Sequence, residues 1–248
     1  MQNNIDIKLK DNIATISFFH PKANSLPLNL LNDLKFTFLN LQSQNVKIVI
    51  LKSANESVFC SGASFDELLA LQDLDSAIRF FSAFAQLMNA MVNSPFIIIT
   101  QLNGKAIGGG VGLLAASDYV LTSPEASIKL SEFKVGIGPF AIAPYLIHKM
   151  GVANFSHVTF NPNLFFNVQA LEVRRLINHI VANDLNNEAF TKANELAGYN
   201  FTALLEFKKL TWKNNQFLYE EALSNAKISA SLVLQDSAQS FLNTFKSK

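Results

Sequence analysis

The chain has 248 residues, 49% of them hydrophobic, and a formal net charge of +1. That length can bury a large core as one α/β domain or one domain with an appendage, and the composition excludes a disordered chain. The balanced charge, with no dense basic cluster and only short pairs such as Lys208-Lys209, argues against a dedicated nucleic-acid binder.

The first residues, MQNNIDIKLKDN, carry no apolar signal core. Residues 5–10 and 13–19 read as two strands around a turn at Asp11-Asn12. A loop at 21–25 follows, and Pro27 suits a first helical turn. Leu31, Leu34, Phe38 and Leu41 then mark one face of a helix ending near Gln44. Residues 46–51 read as a buried strand. Residues 66–93 read as helical, in two pieces broken near 73–75. Ile78, Phe81, Phe84, Ala85, Met88 and Val92 repeat at helical spacing, as core residues that also suit an apolar acyl pocket. Residues 96–102 form another strand, 111–116 a short buried helix and 118–122 a further strand. Repeated β–loop–α units imply an α/β layer fold. Beyond Gly151 the pattern is mostly helical, with helices expected at 168–176, 187–198 and 202–212 and one long helix at 220–245. No run of about 18 apolar residues indicates a transmembrane span. A single cysteine excludes an internal disulfide and fits a reducing cytoplasm. The 22 phenylalanines need large cores or buried interfaces, which favours an oligomer.

The stretch from Gln101 to Pro139 organises the rest. Three consecutive glycines, Gly108, Gly109 and Gly110, lie between a strand and a helix. They suit a backbone that a Cβ would obstruct, and a loop opening a helix leaves N–H groups free. A second strand–glycine–helix turn lies upstream at Phe59-Cys60-Ser61-Gly62-Ala63-Ser64-Phe65. Two such turns could present two backbone donors to one oxygen that becomes negative during a reaction. Glu132 downstream is the candidate acid or base.

These segments resemble the crotonase superfamily, the enoyl-CoA hydratase/isomerase group. The matching pieces are PKANSL at 21–26, FCSGASFDEL at 59–68, NGKAIGGG at 103–110, Asp118, and SEFKVGIGP at 131–139. The resemblance implies a ClpP/crotonase-like spiral of repeated ββα units with a C-terminal helical region. The expected division is a spiral core at 1–195 and a helical trimerisation or lid region at 196–248, covering part of a CoA site, often a neighbour's. The implied substrate is an acyl-CoA thioester, so coenzyme A enters as part of the substrate. No separate cofactor, metal, nucleic acid or membrane is called for. A homotrimer or dimer of trimers is expected. By motif position, the oxyanion donors are the backbone N–H groups of Ala63 and Gly109, and Glu132 is the catalytic carboxylate. Lys22, Ala23, Ser25, Ser61, Ala63, Ser64 and Phe65 would flank the CoA portion, and Lys246 is a candidate for the adenine end.

The chain departs from the family pattern at three places. Ser131 stands where the family has proline. Phe140 follows Pro139 where many members have glycine, so it would reshape the pocket. Gly112 occupies the place of the second glutamate of standard hydratases, which use two carboxylates to activate one water. The whole pattern is most similar to a bacterial branch labelled methylglutaconyl-CoA hydratase, which makes an enoyl-CoA hydratase the nominal reading. A Δ3–Δ2 enoyl-CoA isomerase needs only one glutamate and stays open beside it. So do a decarboxylase or thioester hydrolase and a non-catalytic CoA-binding homologue. Asp66 and Glu67 could help position water or simply favour the start of a helix. Apolar neighbours in sequence would favour protonated Glu132 if they also surround it in space, whereas the alternative is an exposed glutamate beside Lys134. Cys60 reads as packing rather than a nucleophile. A serine hydrolase is a separate reading, but no G-x-S-x-G elbow occurs and His20, His148, His157 and His179 lack a triad-like local setting.

Overall fold

Residues 4–173 and 175–244 are described by the computed structural model. The first strands, β1 (Asn4–Lys10) and β2 (Ile13–Phe19), pair antiparallel as a hairpin in full register. Asp11 takes a positive φ of 55° in the turn between them. Helix α1 (Leu28–Leu41) buries Leu31, Leu34, Phe38 and Leu41, the periodic face expected from the sequence, and Leu30 beside them. Then come β3 (Ile48–Ser53), β4 (Val58–Cys60), α2 (Phe65–Ala70) and α3 (Leu74–Val92). Asp73 caps α3 by accepting the Ser76 N–H at 2.7 Å, which explains the break between α2 and α3.

The next turns of the chain are β5 (Ile97–Leu102), β6 (Lys105–Ile107) and α4 (Gly109–Ala115), then β7 (Tyr119–Thr122) and β8 (Ser127–Lys129). A 3-10 turn at Glu132–Val135 leads to α5 (Ala143–Met150) and α6 (Val152–Thr159). The remaining elements are β9 (Phe166–Asn167), α7 (Val168–Val173), β10 (His179–Ile180), α8 (Leu185–Gly198), α9 (Phe201–Thr211), α10 (Asn215–Val233) and α11 (Asp236–Asn243).

Successive ββα turns distribute their strands between two sheets. One has the order β1-β2-β3-β5-β7-β10 and the other β4-β6-β8-β9. Apart from the β1–β2 hairpin and the β8–β9 pair, neighbours run parallel. Parallel strands covered on both faces read as unbroken apolar runs. Every residue of β5 is accordingly buried. Val49, Leu51 and Ile98 face the main core with α1 and α3. Ile48, Ile50, Ile97 and Ile99 face Ala189 and Ala193 of α8 on the other side.

The expected long helix at 220–245 is instead two helices, and Phe245 lies outside the described residues. Gln235 takes an extended conformation (φ −72°, ψ 150°), and α11 turns back to pack on α2 and the 3-10 turn, burying Ala238 and Leu242. The turn at Gln235 lets α11 bury this apolar surface. Helices α10 and α11 pack on their own chain, α10 against α3 and α5. Several phenylalanines are not in the core: Phe36, Phe133, Phe160, Phe165, Phe207 and Phe217 are exposed. Among the described residues, no helix is long and apolar enough to cross a membrane.

Candidate active site

The two glycine turns meet. Strand β4 ends at Cys60 and the chain passes through Ser61, Gly62 and Ala63 into α2. Gly62 has φ +87°, and a Cβ there would lie 2.8 Å from the Ile107 carbonyl oxygen and 3.4 Å from the Gly109 nitrogen. The first turn therefore sits directly against the second. Ala63 forms an isolated parallel bridge with Leu26. The Leu26 N–H donates to Gly62 O at 2.7 Å, and the Ser64 N–H donates to Leu26 O at 3.3 Å. Among the described residues, no backbone or side-chain acceptor takes the N–H of Ala63 or of Gly109.

Each glycine of the triplet has a steric reason. At Gly108 (φ +53°) a Cβ would lie 2.8 Å from Glu132 Oε1, and at Gly109 it would lie 2.2 Å from the Phe84 ring. At Gly110 it would come within 2.7 Å of Cys60 Cβ.

Glu132 opens the 3-10 turn, whose Gly136 closes it in the left-handed region (φ 80°). The turn points Phe133 and Lys134 outward, while the Glu132 carboxyl points inward. Part of the residue's surface is exposed, but Oε2 is buried and has no hydrogen-bond partner among the described residues. Burial pushes the carboxyl up from its ordinary 4.5 to about 7, only partly offset by the backbone N–H groups of Glu132 and Ser131. The inward reading of Glu132 thus replaces the exposed one.

One cavity joins these parts. Ala63, Gly108, Gly109 and Glu132 line it, with Phe65, Phe81, Phe84, Ile107 and Ile142 among its apolar walls. Phe81 and Phe84 serve both the core and the pocket. Ser229, from α10, also reaches the cavity and donates to Gly138 O at 3.3 Å. Its contribution was invisible in the sequence because it lies about 90 residues downstream of the wall it joins. No lysine or arginine lies among the lining residues.

The place of the missing second glutamate is filled. A Cβ on Gly112 would lie 2.8 Å from Ile142 Cγ2 and 3.0 Å from Met88 Sδ. Phe140 does not reshape the cavity as expected. Its ring lies against Gly138, where a Cβ would be 2.5 Å away, and it is not among the lining residues.

Of the residues expected around CoA, Ser61, Ala63 and Phe65 line the cavity. Lys22, Ala23, Ser25 and Ser64 lie outside the lining, on the loop and turn beside it. Lys22 forms an exposed ion pair with Asp66. Glu67 accepts the Leu28 N–H at 2.7 Å, so its carboxylate caps α1. Asp66 and Glu67 are therefore occupied away from the cavity. Ser25 Oγ lies 2.9 Å from His20 Nδ1, a pairing the sequence did not reveal, but neither residue lines the cavity. Cys60 is buried and its thiol is pushed up to about 12 by desolvation, which suits packing. Asp118 is also remote from the lining. It accepts from Lys208 Nζ at 2.9 Å, from the Ile98 N–H at 2.8 Å and from Trp212 Nε1 at 3.3 Å. Lys246 lies outside the described residues.

Comparison with known proteins places these features in context. A family model described as enoyl-CoA hydratase/isomerase matches residues 8–248. The bacillaene synthase dehydratase PksH of Bacillus subtilis is 28% identical over 159 residues, covering 62% of this chain and 60% of that protein. The mouse mitochondrial enoyl-CoA hydratase domain-containing protein 2 is 30% identical over 158 residues, covering 63% and 53%. The matched segment thus spans little more than half the length of these curated relatives. An enoyl-CoA hydratase from Bacillus halodurans superposes with a TM-score of 0.89 at 18% identity, covering 97% of this chain and 99% of that one. Human mitochondrial Δ3-Δ2-enoyl-CoA isomerase superposes at 0.87 with 20% identity, covering 98% and 96%. These likenesses establish the crotonase fold. With the family model spanning nearly its whole length, the chain belongs to the enoyl-CoA hydratase/isomerase family.

Proposed function

We propose that the chain is a one-carboxylate enzyme of thioester enolates, in the first place a Δ3–Δ2 enoyl-CoA isomerase. The observation that carries this reading is that, among the described residues, the cavity holds one carboxyl, Glu132, raised by burial to about 7, while a side chain at Gly112 would run into Ile142 and Met88. Ionised Glu132 takes a proton from C2 of a 3-enoyl thioester. The electron pair moves onto the thioester oxygen, which the Ala63 and Gly109 N–H groups hold as a dienolate. The same carboxyl returns the proton at C4, and the double bond moves to C2–C3. A group with a pKa near the working pH is suited to both transfers. Loss of one oxyanion donor typically costs about 100- to 1000-fold in rate, so both donors are expected to matter beside the carboxyl.

The acyl group is proposed to be uncharged. A cavity without lysine or arginine would desolvate a second carboxylate unpaired, which argues against methylglutaconyl-CoA as substrate. The second reading is hydration or dehydration. It is favoured by the PksH relative's description as a dehydratase and would require Glu132 to act alone on water. A non-catalytic CoA binder is the third, with less support because an idle site gains nothing from a buried, unpartnered carboxyl. Exposed Phe133 and Phe160, with ring centroids 6.1 Å apart beside the Glu132 turn, support assembly into a trimer or dimer of trimers. The single cysteine supports a reducing compartment, in our reading the cytoplasm.

The test is mass spectrometry in deuterated water with 2-enoyl, 3-enoyl and methylglutaconyl CoA thioesters, using Glu132→Gln as control. The isomerase reading expects a shifted double bond with no added water, lost in the variant, with deuterium at C4 only to the extent that the carboxyl exchanges its proton with solvent before returning it. A product heavier by one water would replace it with hydration.

A further inference from the structure

We infer that Asn24 is the positioning residue that sets the Ala63 N–H in the oxyanion site. The proposal rests on the reading of Ala63 as a donor and extends it to a residue outside the cavity. Asn24 is fully buried. Its backbone is left-handed (φ 54°), as is that of Ala23 (φ 48°), so two successive non-glycine residues occupy a costly region. Asparagine tolerates that region better than most residues.

The side chain accounts for why the conformation holds. Its Oδ1 accepts the His20 N–H at 2.6 Å. Its amide group reaches Ser53 Oγ and Phe59 O, each at 2.8 Å, and more weakly Phe18 O at 3.3 Å, so two hydrogens serve three acceptors. Phe18 is the next-to-last residue of β2, Ser53 ends β3 and Phe59 lies in β4. One side chain therefore ties the loop to three strands, including the one that delivers Cys60, Ser61 and Gly62 to the site.

Two residues later the consequence reaches the donor. Leu26 donates to Gly62 O and accepts from the Ser64 N–H, gripping the chain on both sides of Ala63 while leaving the Ala63 N–H itself unengaged. An oxyanion donor works only when its N–H is aimed in advance. Here the aim is fixed by Leu26, and the place of Leu26 is fixed by Asn24.

Two variants separate side chain from backbone. Asn24→Gly keeps access to positive φ but removes every tie, whereas Asn24→Ala removes the ties and also disfavours the conformation. Crystal structures and amide hydrogen exchange of both variants would report the Ala63 N–H, and steady-state kinetics on the 3-enoyl panel would report its use. The expected result is a displaced or faster-exchanging Ala63 amide in both. With it, kcat should fall about 10- to 100-fold and KM should stay within about threefold, since misplacement of a transition-state group acts on kcat. If the Ala63 amide holds its place and protection in folded Asn24→Gly, the proposal is overturned whatever the activity. If the amide moves and kcat does not, the positioning stands and Ala63 is lost as a donor. If the wild-type chain turns over none of the thioesters, the functional reading fails while the crystallographic and exchange results still decide the role of Asn24.

Discussion

Replacing Glu132 by glutamine should change the pH dependence of stability in a defined direction. The folded chain holds this carboxyl near 7, against 4.5 ordinarily, because Oε2 is buried without a partner. A carboxyl with a raised folded pKa binds its proton more tightly when folded. Its burial costs little below the unfolded pKa, costs more as pH rises from about 4.5 to about 7, and reaches its full cost above that window. With about 1.4 kcal/mol per pH unit, the full cost is about 3 kcal/mol, of which about 2.5 develops between pH 5 and pH 8. Glutamine keeps the shape and cannot ionise. Urea unfolding of wild type and Glu132→Gln at both pH values would measure the difference, since other titrating groups cancel between the two proteins. The variant should gain about 2.5 kcal/mol relative to wild type on going from pH 5 to pH 8. A stability difference constant within about 0.5 kcal/mol would refute the buried carboxyl with a near-neutral pKa. On the same reasoning, kcat/KM for isomerisation should rise with pH and level off above about 7, because the first step needs the ionised base.

Three further substitutions probe neighbouring parts. Asp118→Ala leaves Lys208 Nζ buried with only Ser94 Oγ and the Met91 and Phe96 carbonyls, so it should cost about 3–5 kcal/mol in urea unfolding. Gly112→Glu should not create a two-carboxylate hydratase. Ile142 and Met88 occupy the space, and overpacking should cost about 1–3 kcal/mol with no gain in water addition by mass spectrometry. Glu67→Ala removes the acceptor of the Leu28 N–H and should cost about 1 kcal/mol of thermal or urea stability, leaving the pH profile of turnover in place.

The legible parts of the site were those encoded by local spacing. The glycine triplet announced a backbone passing close to something, and the structure supplies Phe84, Cys60 and the Glu132 carboxyl as the close neighbours. The stripe containing Phe81, Phe84 and Met88 followed the helical period and became one wall of core and cavity together. What stayed hidden depends on contacts distant in sequence. Nothing near Gly112 says that Ile142 will fill its side, and nothing near Ser131 says that the turn will face Glu132 inward and Lys134 outward. Likewise, His20 and Ser25 stand five residues apart, yet their pairing needs the left-handed loop between them. The long C-terminal helix was misread because an unbroken helical period gives no sign that Gln235 becomes extended, an outcome decided by what α11 can bury.

That break bears on the chemistry. Within its own chain, the C-terminal region packs over the turn that carries Glu132. A Cβ on Gly136 would lie 3.2 Å from Ala238 Cα, and Ser229 holds the Gly138 carbonyl from the other helix. Glycine at position 136 thus serves twice, giving the turn its left-handed close and letting α11 approach. The burial that raises the Glu132 carboxyl is already present within one chain. The near-neutral titration should therefore persist on dilution even if an assembly dissociates. Turnover need not persist, because an assembly can also order the mouth through which the thioester enters. The pH midpoint and the rate would then part company with concentration, the first following the fold of the chain and the second its association.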